Sequence, residues 1–407
     1  MSDLNGVRRE EKMKQAQQEP KKIWIQDVTL RDGNQALKKP WTLMEKESVF
    51  EALVNLNVNG IEVGFPSSNS SEFNASKILA QKAPSHITIA GLSRAIEKEI
   101  EITWEAIQHA KSPRLHIVYP VSAFQIQQVL RISESEVLDK IHKAVSFARK
   151  ISGNNTSIQF SGEHFGDAVD NFDFAVKAFQ TSIDAGANVI NLPNTVERYR
   201  PFLFVNMVQK VSEQIPENII ISVHTHNDLG MATATTVESC FVGATQVEVA
   251  LNGLGERAGN TNLYETAVAL HECGQIVDLN FKKIYPTARF IAELTQIPIG
   301  EKAPILGTDI FAHRSGIHQD GVTKTIGQKK GAYRTFSPEF VGRDDEEVIH
   351  FTNQSGAKAI KHMLGEAGKN IDSEKIQILF HKAKEVSSAE GNRAIELTEL
   401  LIWAEKV

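Results

Sequence analysis

Two histidines separated by a single residue, His224 and His226, form the pair best suited to bind a metal. They lie at the end of a β-branched run, and residues i and i+2 of a strand face the same way, so both imidazoles would aim at one point. Two neutral imidazoles and a carboxylate bind a divalent ion and leave coordination positions open. Asp32 follows another β-branched run and can supply the carboxylate. The pair alone also fits a solvated loop, but together with Asp32 it favours a metal site.

Two further charged residues are candidates for catalysis. Arg31 precedes Asp32, and a fixed guanidinium stabilises an oxyanion as it develops, although a salt bridge at the rim would use the same side chain. Glu163 ends another β-branched run and fits either a general acid/base or a structural carboxylate.

The segment NGLGERAGN, residues 252–260, is a candidate loop for cofactor binding through Gly255, Glu256 and Arg257. Its glycines permit close approach of a ligand to the backbone, although glycines also form ordinary turns. The loop has no phosphate-binding lysine, which argues against nucleotide hydrolysis.

Eight short β-branched runs alternate with stretches of helical periodicity such as 43–56 and 134–151. The runs are Ile23–Leu30, Ile61–Phe65, Ile87–Leu92, Leu115–Tyr119, Ser157–Ser161, Val189–Leu192, Ile219–His224 and Gln246–Leu251. This alternation predicts parallel strands joined by helices, and eight units close a (β/α)8 TIM barrel. An open doubly wound sheet is the rival, but the first run continues into TLRDGNQ rather than into a glycine-rich turn.

The barrel predicts where the candidate residues meet. Active sites of such barrels lie at the C-terminal ends of the strands, and the candidates named above all follow strands. Polar groups are therefore expected to converge at one rim while the strand interiors stay apolar.

The domain prediction is a mobile N-terminal arm over 1–21, a catalytic barrel over 22–288 and a helical C-terminal extension over 289–407. The composition, 41% hydrophobic and 23% charged in 407 residues, is that of a globular protein. The net charge of -6 without a basic tract argues against nucleic acid, and no apolar run reaches the ~20 residues of a membrane span.

The two cysteines, Cys240 and Cys273, form no CxxC pair, which excludes a disulfide scaffold and a cysteine-rich zinc module. Both lie in predicted helices and are expected to be buried thiols. The polar N-terminus has no apolar signal-peptide core, so we expect a cytoplasmic protein.

Five motifs in order, DVTLRDGNQ, IEVGFP, HTHNDLG, NGLGERAGN and SGIHQDG, resemble the isopropylmalate synthase and homocitrate synthase family. These are metal-dependent acyltransferases with TIM barrels, related to the lyase that cleaves hydroxymethylglutaryl-CoA. The resemblance covers about residues 22 to 365, and FAHRSGIHQDGV and SGAKAIKHML are most similar to isopropylmalate synthases.

The resemblance implies roles for particular residues. Asp32, His224 and His226 would bind the metal (Mn²⁺ or Mg²⁺, or Zn²⁺), with Asn260 as a fourth or outer ligand. Arg31 would stabilise the enolate or alkoxide. The remaining implied roles are proton transfer by Glu163 and His318, assistance by Tyr333, and hydrogen bonding of the oxo-acid carboxylate by Thr195. The extension would reach over a partner's barrel, so that His318 and Tyr333 act in trans across a homodimer.

The implied reaction joins acetyl-CoA, as co-substrate, to a 2-oxo acid. The acyl pocket is expected to draw on Leu92, Ser93, Tyr119, Ser161 and Asn194. This mostly neutral set favours 2-oxoisovalerate, giving 2-isopropylmalate in leucine biosynthesis. Three nearby cations, Arg94, Arg114 and His116, leave homocitrate synthesis from 2-oxoglutarate open, and citramalate or a specialised alkylmalate also stays open.

The sequence departs from many isopropylmalate synthases at its C-terminus. Too few residues follow Gly365 for a leucine-binding regulatory domain, so we expect no leucine feedback through such a domain. A C–C lyase on the same barrel is disfavoured because SGIHQDG belongs to the condensing branch. A non-catalytic paralogue is disfavoured because the implied site residues are all present.

Overall fold

The computed structural model describes residues 19–325, 328, 331–344 and 348–407. Residues 1–18 of the predicted arm lie outside the described residues. Within the described part, no helix is long and apolar enough to cross a membrane. The chain divides into two compact units, one ending at Asn280 and one spanning 281–407. The boundary predicted at 288 falls inside the helix Ile284–Thr295.

The first unit is a closed barrel of eight parallel strands in sequence order, which confirms the predicted (β/α)8 TIM barrel. The strands are β1 Trp24–Asp27, β2 Gly60–Glu62, β3 Thr88–Arg94, β4 Pro113–Pro120, β5 Ser157–Glu163, β6 Val189–Asn194, β7 Ile220–Thr225 and β8 Gln246–Val249. Strand β1 pairs with β8 and closes the barrel.

The barrel's connecting helices follow local capping rules. They are α1 Leu43–Leu56, α2 Ser70–Lys82, α3 Glu97–Ile107, α4 Glu134–Ser152, α5 Phe172–Asp184, α6 Pro201–Ser212, α7 Ala232–Phe241 and α8 Leu263–Glu272. Capping boxes start two of them, Thr42 with Glu45 at α1 and Ser133 with Glu136 at α4, because side chains there satisfy the first backbone N–H groups.

The first strand is shorter than predicted. Instead of reaching Leu30, it ends at Asp27, and Thr29–Gly33 forms a π-helical turn. Such turns occur often at functional sites because they redirect neighbouring side chains. Here the turn carries Arg31 and Asp32 at the strand's C-terminal end.

The barrel interior is polar, so the expectation of apolar strand interiors is wrong. The buried polar residues along the strands include Gln26, Glu62, Arg114, His116, Gln159, Ser161, Asn191, Ser222, Gln246 and Glu248. Except for Gln26, whose buried Nε2 has no hydrogen-bond partner among the described residues, they bond to one another across the barrel; for example, Arg114 Nη1 donates to Gln246 Oε1 at 2.7 Å. Mutual hydrogen bonding offsets the free-energy cost of burying these groups.

The second unit is mainly helical, as expected for the extension. Its helices are α9 Ile284–Thr295, α10 Gly316–Thr325, α11 Ala357–Glu366, α12 Ser373–Ala389 and α13 Leu397–Ala404, with a two-stranded sheet of β9 Ala312–His313 and β10 Val348–Ile349. Helices α11, α12 and α13 enclose an apolar core that includes Phe351, Ile360, Leu379 and Leu400.

The two cysteines differ in burial. Cys240 is buried in α7, as expected, but Cys273 is exposed, which corrects the prediction for that residue. Cys273 directly follows Glu272, the last residue of α8.

Candidate metal centre and active site

A carboxylate and two imidazoles converge at the C-terminal end of the barrel. Asp32, His224 and His226 are buried, and each offers one ligand atom within 4.8 Å of the others. The two histidine Nε2 atoms lie 3.2 Å apart, and His224 Nε2 lies 3.4 Å from Asp32 Oδ2. The structure therefore brings together three of the residues that the sequence predicted as ligands.

Elements far apart in sequence position this group. His224 and His226 lie at the end of β7, while Asp32 lies on the π-helical turn after β1. Asp32 Oδ1 accepts a hydrogen bond from Gln35 Nε2 at 3.0 Å, and Arg31 Nη1 lies 3.4 Å from the same oxygen. The carboxylate is thus held in place by its own turn.

The charges of the group are strongly perturbed. Burial alone would raise the pKa of Asp32, but Arg31 and His224 hold that pKa well below its usual range. Burial opposes protonation of His224, yet Asp32 and Glu248 raise its pKa to about 9. Burial and the charge of His224 lower the pKa of His226 to about 3. The carboxylate is therefore ionised and His226 neutral, as metal coordination requires, whereas His224 must release its Nε2 proton when an ion binds.

Asn260 completes the surroundings of Asp32. Its Nδ2 donates to Asp32 Oδ2 at 3.1 Å and to the Leu254 carbonyl at 2.9 Å. Its buried Oδ1 has no hydrogen-bond partner among the residues described. An unsatisfied amide oxygen on a residue that contacts the ionised Asp32 and pairs with His226 fits a nearby divalent cation. The ligand role of Asn260 itself stays a prediction.

Arg31 belongs to a buried chain of charges that the sequence did not reveal. Its Nε donates to Glu62 Oε2 at 2.5 Å, and Glu62 Oε1 lies 2.5 Å from His116 Nδ1. His116 Nε2 in turn lies 2.6 Å from Ser161 Oγ. The salt bridge considered for Arg31 therefore exists, and it orients the guanidinium beside Asp32.

The residues predicted for the acyl pocket do not all face the same way. Leu92 pairs with His116 across β3 and β4, so Leu92 shares the interior face on which His116 contacts Ser161. Val118 pairs with Ser161, which leaves Tyr119 on the opposite face toward the helices.

Asn194 and Ser93 likewise differ from Ser161 in their placement. Asn191 bonds to Ser161 in the interior, so Asn194, three residues further along β6, lies on the opposite face; a Cβ added at Gly166 would lie 2.4 Å from its Oδ1. Ser93 is buried, and its hydroxyl donates to the Arg94 carbonyl at 2.8 Å. The structure groups Leu92 and Ser161 but not Tyr119 or Asn194.

Thr195 is held by the loops around it. Its Oγ1 accepts the backbone N–H of His164 at 2.9 Å, and its carbonyl accepts from Arg257 Nη2 at 2.8 Å. Arg257 also binds Asp228 through two hydrogen bonds of 2.7 and 2.9 Å. The guanidinium predicted to bind a cofactor therefore joins the loops after β6, β7 and β8.

The loop 252–260 is shaped by the metal centre. A Cβ added at Gly255 would lie 2.4 Å from Asn260 Nδ2, so the glycine makes room for that amide. Glu256 Oε1 accepts from Gln35 Nε2 at 3.4 Å, the same amide that contacts Asp32. Cofactor binding by Gly255, Glu256 and Arg257 stays a prediction.

The residues predicted for proton transfer lie in both units. Glu163 ends β5 two positions beyond Ser161, hence on the same interior face at the rim. In the second unit, the exposed rings of His318 and Tyr333 stack with centroids 4.0 Å apart and planes 16° apart. A Cβ at Gly321 would lie 2.5 Å from Tyr333 Cε2, so this glycine lets the tyrosine ring lie against α10.

Sequence reasoning missed Glu62 and Glu248 as parts of this site. Glu248 Oε2 lies 2.9 Å from His224 Nδ1. Each is the one charged residue of its strand, and a buried carboxylate requires a partner. The sequence could therefore have indicated that Glu62 and Glu248 have buried partners. Which residues those partners are follows only from the closed barrel.

Family models match most of the chain. Residues 22–291 match the family described as HMGL-like, and residues 308–365 match the alpha-isopropylmalate synthase, post-catalytic domain-like family. Fold and site thus define an HMGL-like barrel followed by a post-catalytic segment. A solved structure of HMG-CoA lyase from Bacillus subtilis superposes with a TM-score of 0.60 at 18% identity, covering 70% of this chain and 97% of that one. At that identity the likeness shows the fold alone.

Curated relatives narrow the family. The chain is 57% identical over 379 residues to 2-isopropylmalate synthase 2 of Leptospira interrogans, covering 93% of this chain and 89% of that protein. It is 37% identical over 371 residues to 2-isopropylmalate synthase of Dictyoglomus turgidum, covering 90% of this chain and 71% of that protein. The chain belongs to the family of the 2-isopropylmalate synthases.

Proposed function

We propose that this chain condenses acetyl-CoA with 2-oxoisovalerate to give 2-isopropylmalate and CoA. The observation that carries the proposal is the buried group of Asp32, His224 and His226 beside Arg31, on a barrel of this family. The relatives named 2-isopropylmalate synthase support the choice of reaction.

Asp32, His224 and His226 would hold a divalent ion, Mn²⁺, Mg²⁺ or Zn²⁺, with Asn260 next to it. When bound, such an ion polarises the carbonyl of a 2-oxo acid. The two imidazoles and the carboxylate leave positions open for that substrate.

The chain's own groups orient the oxo acid. Thr195 Oγ1 already accepts the N–H of His164, so its hydroxyl hydrogen is available to donate to the substrate carboxylate. Arg31, fixed by Glu62, directs its positive charge toward the oxygen that becomes the alkoxide. A preoriented cation stabilises that charge without reorganisation during the reaction.

The condensation needs a base, an acid and water. A base removes a methyl proton from acetyl-CoA, and the resulting carbanion forms a C–C bond to C2 of the oxo acid. The carbonyl electron pair moves to oxygen, which takes up a proton. Water then cleaves the thioester, and CoA leaves as the thiol. We assign these proton transfers to Glu163 and His318, with Tyr333 assisting.

The basic side chains near the pocket already have partners, which favours an oxo acid without a second carboxylate. Arg94 is exposed and bonds to Glu99, and Arg114 is buried against Ser157 and Gln246. His116 Nδ1 lies 2.5 Å from Glu62 Oε1. The three side chains that left 2-oxoglutarate open are thus each already bonded to another side chain. Leu92 and Val118 contribute apolar surface suited to a branched side chain.

The assembly is part of the same proposal. We propose a cytoplasmic homodimer in which His318 and Tyr333 of one chain serve the barrel of the other. The exposure of the two stacked rings leaves them accessible to a second chain.

The proposal is tested by CoA release from acetyl-CoA, followed with a thiol reagent. The oxo acids are 2-oxoisovalerate, pyruvate, 2-oxobutyrate, 2-oxoglutarate and oxaloacetate, each with Mn²⁺ or with chelator. We expect the highest kcat/KM with 2-oxoisovalerate and no turnover with chelator. A higher kcat/KM with 2-oxoglutarate or pyruvate would show that 2-oxoisovalerate is not the substrate. The absence of CoA release with every oxo acid would overturn the proposed reaction.

A further inference from the structure

The two histidines of the metal centre differ in the hydrogen-bond partner of their Nδ1 atom. His224 Nδ1 lies 2.9 Å from Glu248 Oε2, whereas His226 Nδ1 is buried without a hydrogen-bond partner in the described part of the chain. We propose that Glu248 is a positioning residue that keeps the Nδ1 proton on His224 and so presents its Nε2 lone pair to the metal. This inference rests on the metal site proposed above.

The backbone fixes the contact between the two residues. His224 and Glu248 are direct partners in the parallel ladder of β7 and β8. Partners in a ladder project from the same face of the sheet, here into the barrel. Both side chains are buried, and rigid strands carry them rather than loops. The contact therefore persists without an ion to organise it.

The other neighbours of Glu248 define the direction of its hydrogen bonds. Gln159 Nε2 donates to Glu248 Oε1 at 2.6 Å, and Asn191 Nδ2 donates to Oε2 at 3.2 Å. An ionised carboxylate has no hydrogen to give, so the hydrogen between Glu248 and His224 belongs to Nδ1. The remaining ring nitrogen, Nε2, points toward Asp32 and His226.

This arrangement has an energetic consequence for metal binding. A histidine whose second nitrogen donates to a carboxylate is locked in one tautomer and is a stronger ligand, and loss of such a partner costs about 10–100-fold in metal affinity. Because His226 has no comparable partner, we expect Glu248 to be the carboxylate that most affects the ligand strength of the two imidazoles.

Mn²⁺ titration calorimetry on the full-length chain tests the inference, with CoA release measured over a range of Mn²⁺ concentrations. We expect Glu248→Gln to weaken Mn²⁺ binding by about 10–100-fold while saturating Mn²⁺ restores most of kcat. Glu248→Asp keeps the charge but withdraws it by one methylene, so it should also weaken binding. Ser222→Ala is the matched control, because Ser222 is buried in the same interior and contacts Gln246 rather than Glu248. It should leave the affinity unchanged.

The outcomes separate positioning from a purely structural role. Mn²⁺ affinity within twofold of wild type in Glu248→Gln, or in Glu248→Asp if the first variant does not fold, would overturn the inference. So would a loss of kcat that saturating Mn²⁺ does not restore. If the wild-type chain itself binds no Mn²⁺, the proposed metal site fails and this inference with it.

Discussion

At the scale of single residues, Asp32 is held by side chains from several elements before any ion is considered. Gln35 and Arg31 contact it from its own turn, and Asn260 contacts it from the loop after β8. Such preorganisation keeps a ligand in place without a cost in entropy at the moment of binding. Loss of such a neighbour should therefore weaken Mn²⁺ binding, but less than loss of a ligand.

Gly255→Ala tests the contact between the loop and Asn260. The added Cβ would lie 2.4 Å from Asn260 Nδ2, which must move and release Asp32. We expect about a 10-fold loss of Mn²⁺ affinity by calorimetry. Gly300→Ala is the control, since a Cβ there meets nothing within 4 Å. Equal affinities in both variants would contradict the packing argument.

Arg31→Ala tests the charge that faces the alkoxide. We expect kcat for CoA release to fall about 10²–10³-fold, the usual loss when one group stabilising an oxyanion is removed. Mn²⁺ should still bind, because the ligands remain. Arg94→Ala removes an exposed arginine paired with Glu99 and should retain full turnover. A near-normal kcat in Arg31→Ala would exclude the oxyanion role.

At the scale of elements, a buried carboxylate joins the end of β1 to the segment after β8. Asp27 accepts from the Thr29 backbone N–H at 2.9 Å and from Thr29 Oγ1 at 2.8 Å, and that hydroxyl oxygen accepts from the Leu251 N–H. Burial outweighs these hydrogen bonds and raises the pKa of Asp27 to about 7. The junction that carries Arg31 and Asp32 therefore contains a titrating group.

The raised pKa predicts how stability depends on pH. The pKa of Asp27 in the folded chain lies above its ordinary value of 3.8, so the contribution of Asp27 to stability is fully present below pH 3.8 and is lost as the pH rises through about 7. Asp27→Asn removes this dependence. Relative to wild type, its free energy of unfolding should rise by about 2–3 kcal/mol from pH 5 to pH 8. Urea unfolding in chelator measures it, and parallel pH profiles of the two proteins would contradict the assignment.

The strands could be predicted from sequence because their β-branched runs are regular, and helix α1 begins and ends where its pattern predicts. Which side chains face inward was harder. Alternation from His116 places Val118 inside and Tyr119 outside, a reading the sequence allowed but the prediction did not make. The partners of Glu62 and Glu248 could not be predicted, because they depend on barrel closure and register.

At the scale of the whole molecule, the residues that we propose for the site lie in two compact units. The barrel carries the metal group, and the second unit carries the stacked rings of His318 and Tyr333. The motif SGIHQDG pointed to His318 only through a family resemblance, since an exposed histidine on a helix has no local feature that marks it as catalytic.

Mixing two inactive variants tests whether His318 acts in trans. In a mixed dimer of one Arg31→Ala chain and one His318→Ala chain, one site would combine the intact Arg31 of one chain with the intact His318 of the other. After subunit exchange, random pairing should restore about a quarter of wild-type CoA release. Exchange without recovery would show that both residues serve the same chain's barrel.

The metal dependence of the site is the central claim, and the metal content of His226→Ala tests it most directly. The measurement is Mn²⁺ bound per chain after dialysis, with CoA release from acetyl-CoA and 2-oxoisovalerate on the same samples. His142→Ala, which replaces an exposed histidine on α4, is the control. We predict that wild type and His142→Ala bind Mn²⁺ and turn over, while folded His226→Ala does neither. Normal Mn²⁺ content in His226→Ala, or turnover by metal-free wild type, would contradict the account.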